Sequence, residues 1–380
     1  MNFGFTEEQE LLRKTARAFL EEHASIALAR SALERGTTQL ADLWSRLGEL
    51  GWTGLCVPEV YGGAGLSEVE LCILMEAMGR SLAPAPYLPH AIATLAVLEL
   101  GNRTQHANLL PPFSAGTAIG TISLSSVDGT GEGPSVEVRR EGTGYTLKGH
   151  LRFVPDATIS HLLIVPAASA DRQFAFAVPR STRGVRIRPM QAMDLLRPLY
   201  EVSLDDVSLP QDARLGDGAD ATRGLERVVD RALVLISAEM LGGAEKCLET
   251  AVEYAKQRVQ FGKPIGVHQA IKHKCADMLF AVEAARSITY YAAWAARERA
   301  TDAGVLASMA KSTAGDAYRR AAADNLQIHG GVGFTWEYDC HLYLRRARSD
   351  DAWFGSAAFH RERIASRLVA PAREPESHSG

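Results

Sequence analysis

The chain has 380 residues, 46% hydrophobic and 23% charged, with 33 Gly and 16 Pro, the make-up of an ordinary globular protein long enough for two or three packed units. Its 41 Lys and Arg nearly balance 45 Asp and Glu, and no basic run with interleaved aromatics occurs, so nucleic acid is not an expected partner. The start, MNFGFTEEQELLRK, is acidic at once and does not read as a secretory signal, and the most apolar stretches, HAIATLAVLEL and DRALVLISAEMLGG, are short or cut by charges and predict no membrane helix.

In chain order, Thr6 with Gln9 three residues later forms a capping-box signature. Leu11, Leu12, Ala16, Phe19 and Leu20 then recur on one helical face. Further helical runs are predicted around residues 38 to 50, 67 to 81 and 87 to 100, separated by VPEVYGGAG and LAPAPYLP. Residues 1–115 therefore read as a helical domain. After PPFSAG the period changes to short runs such as TAIGTISLSS, YTLKGHLRFV, HLLIVPAA, QFAFAVP and YEVSLDDVSL, bounded by turn clusters. This predicts an antiparallel β-barrel or sandwich domain over 116–212. Helical periodicity returns from about 219, so that 213–370 reads as a C-terminal helical bundle and 371–380 as a polar, flexible tail. A β unit set between helical ones, with no GxGxxG after a strand, argues against a Rossmann architecture. The five cysteines are odd in number, far apart and without CxxC spacing, as expected of reduced thiols in a cytoplasmic protein.

Two stretches stand out. In YAKQRVQFGKPIGVHQAIKHKCADM (254–278) one helix ends near Arg258, Gln260 and Phe261, is stopped by Gly262 and Pro264, and a second begins near His268 and Gln269. A guanidinium fork, free helix-end N–H groups and an aromatic face suit a diphosphate beside a flat ring. The same residues also fit a plain helix hairpin with a solvated arginine. In QIHGGVGFTWEY (327–338), three glycines in four positions fit either a helix C-cap with a tight bend or a close backbone approach to a ligand.

Taken together with ELGWTGLCVPEVYGGAG (49–65) and DDVSLP (205–210), these stretches resemble the acyl-CoA dehydrogenase family from about residue 3 to 368. The resemblance implies a helical domain, a β domain and a C-terminal four-helix bundle, with FAD as cofactor and acyl-CoA as substrate. The implied reaction removes a proton from the α carbon and a hydride from the β carbon to flavin N5, with electron-transferring flavoprotein as acceptor. By position, Arg258 would grip the FAD diphosphate, Gln260, Phe261, His268 and Gln269 would line the same arm, and Gln327, Gly330 and Gly331 would cradle it from a facing subunit of a homodimer or homotetramer.

The sequence also departs from the family pattern. Where the commonest base, a Glu before Gly-Thr, is expected, it has Phe354, Gly355 and Ser356. The Phe354 side chain cannot take a proton, although its backbone N–H could donate to the thioester oxygen; Ser356 is taken as a cofactor contact. Members that carry the base on the long helix before the QFG corner would place it at Ala232. The nearest acid, Asp230 beside Arg231, is the candidate, two residues out of register. Glu239 stands in a small, apolar run where a buried acid would need a partner, and Asp350 and Asp351 read as flanking a turn. In the β domain, Ser123, Ser125 and Ser126 are the remaining hydroxyl donors of ISLSSVDGTGEG, with Ser125 the implied flavin contact. Phe153-Val154-Pro155 replaces a flavin-facing Trp-Ile-Thr, keeping an aromatic at Phe153 and losing the hydroxyl. LRFVPDA, AEMLGGA and FGSAAFHRE resemble bacterial members that act on bulky or steroid-type acyl-CoAs, several of which pair unlike subunits with only one base. The readings that follow are a complete FAD-dependent acyl-CoA dehydrogenase, a base-lacking subunit of a heteromer with a sister chain, or a flavin oxidase or monooxygenase of the same fold.

Overall fold

The computed structural model describes residues 4–35, 41–124, 135–169, 172–218 and 220–369. Six helices come first: α1 (Glu7–His23), α2 (Ile26–Glu34), α3 (Ala41–Glu49), α4 (Glu68–Ser81), α5 (Tyr87–Leu100) and α6 (Arg103–Ser114). The capping box read from Thr6 is formed: the Gln9 N–H donates to Thr6 Oγ1 at 3.2 Å and the Thr6 N–H to Gln9 Oε1 at 3.0 Å. Ser67 with Glu70, and Asn102 with Gln105, repeat the device at α4 and α6. Helix α6 runs through Pro111 and Pro112. Both lie in its last turn, so their missing N–H groups interrupt only the end of the ladder.

Seven strands follow: β1 (Gly120–Ile122), β2 (Val136–Glu141), β3 (Gly144–Pro155), β4 (Leu162–Ser169), β5 (Arg172–Pro179), β6 (Val185–Pro189) and β7 (Leu199–Leu209). They form one sheet in the order β1-β4-β2-β3-β7-β6, with β5 also paired to β4. The expected antiparallel domain is corrected to a mixed sheet, because β1 and β2 both run parallel to β4. Turn signals report only on strands joined by a short loop, and these two pairs are joined by long connections. Val138, Leu147, Val165, Phe176 and Val202, from five strands, meet in one apolar core, so the sheet curls around its own interior.

The C-terminal part contains α7 (Thr222–Gln257), β8 (Val259–Gln260), β9 (Lys263–Pro264), α8 (Gln269–Arg297), α9 (Ala303–His329), α10 (Cys340–Ala352) and α11 (Ala357–Val369). Helices α7, α8 and α9 pack mutually, while α10 and α11, both against α9, share the fourth place of the expected bundle. Helix α4 lies along α7. A Cβ on Gly79 would sit 1.9 Å from the Glu239 carbonyl oxygen, and one on Gly242 would sit 1.8 Å from that of Glu76, so only glycines permit this crossing. Leu71, Leu74 and Leu95 therefore share a single core with Leu233, Leu241 and Ala310, and the helices before and after the sheet have one interior. All five cysteines are free thiols. No described helix is long and apolar enough to cross a membrane.

Candidate active site

The corner after α7 is not a bare helix hairpin. Val259 and Gln260 pair with Pro264 and Lys263 as a two-residue β-hairpin, β8–β9. Its loop residues Phe261 and Gly262 take φ of 53° and 74°, the left-handed backbone such loops demand. Phenylalanine is a poor choice there, and it is 95% exposed. Strain of this kind in an exposed aromatic points to use rather than stability. Arg258, Gln260, His268 and Gln269 are exposed around it, and among the described residues Arg258 has no carboxylate partner.

The second stretch lies beside the first. Tyr254, one turn before Arg258, stacks on His329 with ring centroids 4.0 Å apart and planes 24° apart. Gln327, Gly330 and Gly331 thus adjoin the Arg258 hairpin in the same protomer, and all three are exposed. Gly330 has φ of 65°, and a Cβ on Gly330 or Gly331 would meet nothing within 4 Å. The backbone here is open to a ligand.

A third element is the turn between α10 and α11. Phe354 is 3% exposed with φ of 60°, and its N–H meets no acceptor among the described residues. Buried Lys311 of α9 donates to the Gly355 carbonyl at 2.8 Å, and His360 Nε2 lies 2.8 Å from the Phe354 carbonyl. Burial pushes the His360 imidazole down to about 4, so it is neutral and donates through Nε2. Ser356 Oγ accepts from the Phe359 N–H at the start of α11. The turn is fixed from both sides.

Behind it is a buried charged cluster that the sequence did not reveal. Trp353 stacks on Phe354 at 4.5 Å, and the Arg197 guanidinium lies 5.0 Å over the Trp353 ring. Arg197 donates to Glu239 Oε1 and Asp350 Oδ1, each at 2.5 Å. Arg346 donates to the same Glu239 oxygen at 2.6 Å and to Asp194.

Asp230 is directed elsewhere. Its carboxylate accepts from Arg363 of α11 at 2.6 Å and lies 3.9 Å from Arg367. The neighbouring Arg231 faces the other way, toward Glu68 and Glu99. The two-residue register slip therefore sets Asp230 into an ion pair within the bundle.

In the sheet, a register shift between Leu151 and Val154 gives Phe153 a φ of 57° and leaves it 41% exposed beneath the Arg152 guanidinium. Ser123 Oγ donates to the Arg152 carbonyl at 2.8 Å. Ser125 and Ser126 lie outside the described residues.

Comparison with known proteins decides the family. The model for the acyl-CoA dehydrogenase N-terminal domain matches residues 6–117, and that for the C-terminal domain matches 223–369. The chain is 31% identical over 352 residues to the acyl-CoA dehydrogenase IpdE2 of Mycolicibacterium smegmatis, covering 92% of this chain and 95% of that one. The chain belongs to the acyl-CoA dehydrogenase family.

Among solved structures similar to this acyl-CoA dehydrogenase family member is butyryl-CoA dehydrogenase from Megasphaera elsdenii, with TM-score 0.88, 27% identity, and 97% of this chain and 100% of that one covered. The ChsE4-ChsE5 complex from Mycobacterium tuberculosis matches with TM-score 0.88, 26% identity, and 98% and 100% covered. FAD-dependent dehydrogenation of an acyl-CoA is the family reaction, and the surface beside Arg258 fits that cofactor. It combines an unpaired guanidinium, two glycines facing open space and an exposed aromatic.

Proposed function

We propose that this chain binds FAD through Arg258, Gln260, Phe261, His268, Gln269, Gln327, Gly330 and Gly331, with Phe153 and Ser356 at the flavin end, and presents an acyl-CoA thioester to it. The observation carrying this reading is that the Arg258 hairpin and the Gly330 turn, 70 residues apart in sequence, adjoin on one open surface, joined by the Tyr254–His329 stack. Arg258 would hold a phosphate by a bidentate, charge-assisted contact, and the backbone N–H groups of Gly330 and Gly331 would approach it closely. FAD, when bound, supplies the hydride acceptor.

The Phe354 N–H is the donor proposed for the thioester oxygen. A donor fixed before reaction stabilises the negative charge that develops as the α proton leaves, and Lys311 and His360 immobilise this one. Buried Phe354 and the partly buried Trp353 stacked on it limit water on the same side. Electron-transferring flavoprotein is the proposed acceptor, and a bulky or steroid-type acyl group the proposed substrate. The second point is supported by a similar solved structure, the Tcur3481-Tcur3483 steroid ACAD, 30% identical to this chain with TM-score 0.87.

A second reading is favoured by two observations. Phe354 stands where a base is usual, and Asp230 is engaged by Arg363 and Arg367. On this reading the chain holds FAD within a mixed oligomer while a sister chain supplies the base. Anaerobic titration of the purified, FAD-loaded chain with a panel of acyl-CoAs separates the two. Bleaching of the flavin by the chain alone supports the complete enzyme, and should persist in Asp230→Asn. Bleaching only after a sister chain is added supports the second. Arg258→Ala should release FAD on gel filtration; full FAD retention would remove that residue from the site.

A further inference from the structure

Lys311 lies in α9 and is 0% exposed. A lysine is almost never buried to this degree unless its amine has partners. Here the partners include backbone: Nζ donates to the Gly355 carbonyl at 2.8 Å and to the Asp351 carbonyl at 3.3 Å. These two carbonyls stand on either side of Trp353 and Phe354, so one amine closes that segment into a loop around itself. Asp351 belongs to the last turn of α10, where carbonyls lack a helical partner and the helix dipole favours a cation. Core filling accounts for none of this, since a methionine would occupy similar space with no amine to desolvate.

What the loop holds is a strained backbone. Phe354 has φ of 60° and Gly355, next to it, 97°. Left-handed backbone at a phenylalanine persists only where its surroundings over-determine it. His360 holds the Phe354 carbonyl, and Lys311 ties together the residues before and after it. Were Phe354 to relax to a negative φ, the peptide plane that carries its N–H would turn. That N–H is the donor proposed for the thioester oxygen.

We propose that Lys311 is a positioning residue for the reaction: by bridging the carbonyls of Asp351 and Gly355 it keeps Phe354 in its left-handed conformation and aims the Phe354 N–H at the thioester oxygen. This rests on the acyl-CoA reading above and adds to it the group that sets the strength of the oxygen's hydrogen bond. Lys311, being buried, acts only through the turn.

The test uses the FAD-loaded protein and cinnamoyl-CoA, an enoyl thioester that does not reduce the flavin, so that no base is needed. Its ring, double bond and thioester form one chromophore, whose absorbance moves to the red when the thioester oxygen accepts a hydrogen bond. The ligand bound to the wild type should show this shift. In Lys311→Met, which keeps a long stem and loses the donors, most of the shift should disappear at saturating ligand, while the dissociation constant rises by no more than roughly tenfold. Lys311→Gln keeps N–H donors on a shorter stem and should fall between the two; it serves alone if the Met variant does not fold. Urea unfolding and FAD content separate packing from positioning. A lysine that only supports the core would lower stability and leave the shift of the bound ligand intact, and that result in either variant would overturn the proposal. So would a wild-type complex with no red shift. Failure of the wild type to bind any acyl-CoA would instead overturn the acyl-CoA reading itself.

Discussion

Asp350 is fully buried at the end of α10. Burial above all, opposed by Arg197 and reinforced by Glu239, pushes its carboxyl up to about 7 from an ordinary 3.8. A carboxyl raised in the folded state binds its proton more tightly there than in the unfolded chain. Folding is thus favoured at low pH, and this contribution is lost as pH climbs from about 4 to 7. Asn at this position can accept from Arg197 without titrating. Asp350→Asn should therefore gain stability relative to the wild type between pH 5 and pH 8, by about 1 kcal/mol or more. Urea unfolding of both proteins at each pH reads the difference, and parallel pH curves would contradict it. At this scale the sequence was partly legible. Glu239 could be recognised as an acid needing a partner, and Phe354 as a side chain unable to act as a base. The partners themselves could not be read, since Arg197 reaches Asp350 across 153 positions of chain.

The α4–α7 crossing depends on Gly79 and Gly242, each seated on a carbonyl of the other helix. Neither glycine has a left-handed φ, so contact, not backbone freedom, is the requirement. Gly242→Ala forces the helices apart and should lower stability by about 1–3 kcal/mol by chemical denaturation. It should also disturb the buried ion cluster of Arg197 and Arg346, because Glu239 lies one turn away on α7. Unchanged stability would mean that the crossing yields without strain. Helix starts were readable here because a cap is a local event of four residues, as at Thr6 and Gln9. The β8–β9 hairpin escaped notice because its loop is Phe-Gly and not Asn-Gly, and its strands are two residues each. The parallel partners of β4 escaped because nothing local records them.

Viewed as a whole, one protomer leaves Phe261 95%, Phe280 78% and Phe334 70% exposed. Large aromatics exposed to this degree are expected to be covered in an assembly. If a second subunit covers the hairpin, Phe261→Asp should weaken assembly and FAD retention together, measured by sedimentation velocity and by the visible flavin spectrum. A variant that stays fully assembled and yellow would show that the ring contacts neither partner nor cofactor.

The shared interior of the early and late helices bears on how the chain is made. Leu71 and Leu95 wait for Leu233 and Leu241, which leave the ribosome more than a hundred residues later. During that interval the nascent amino-terminal helices carry greasy flanks with nothing to cover them, so chaperone demand should peak while the sheet is being translated and fall once α7 emerges.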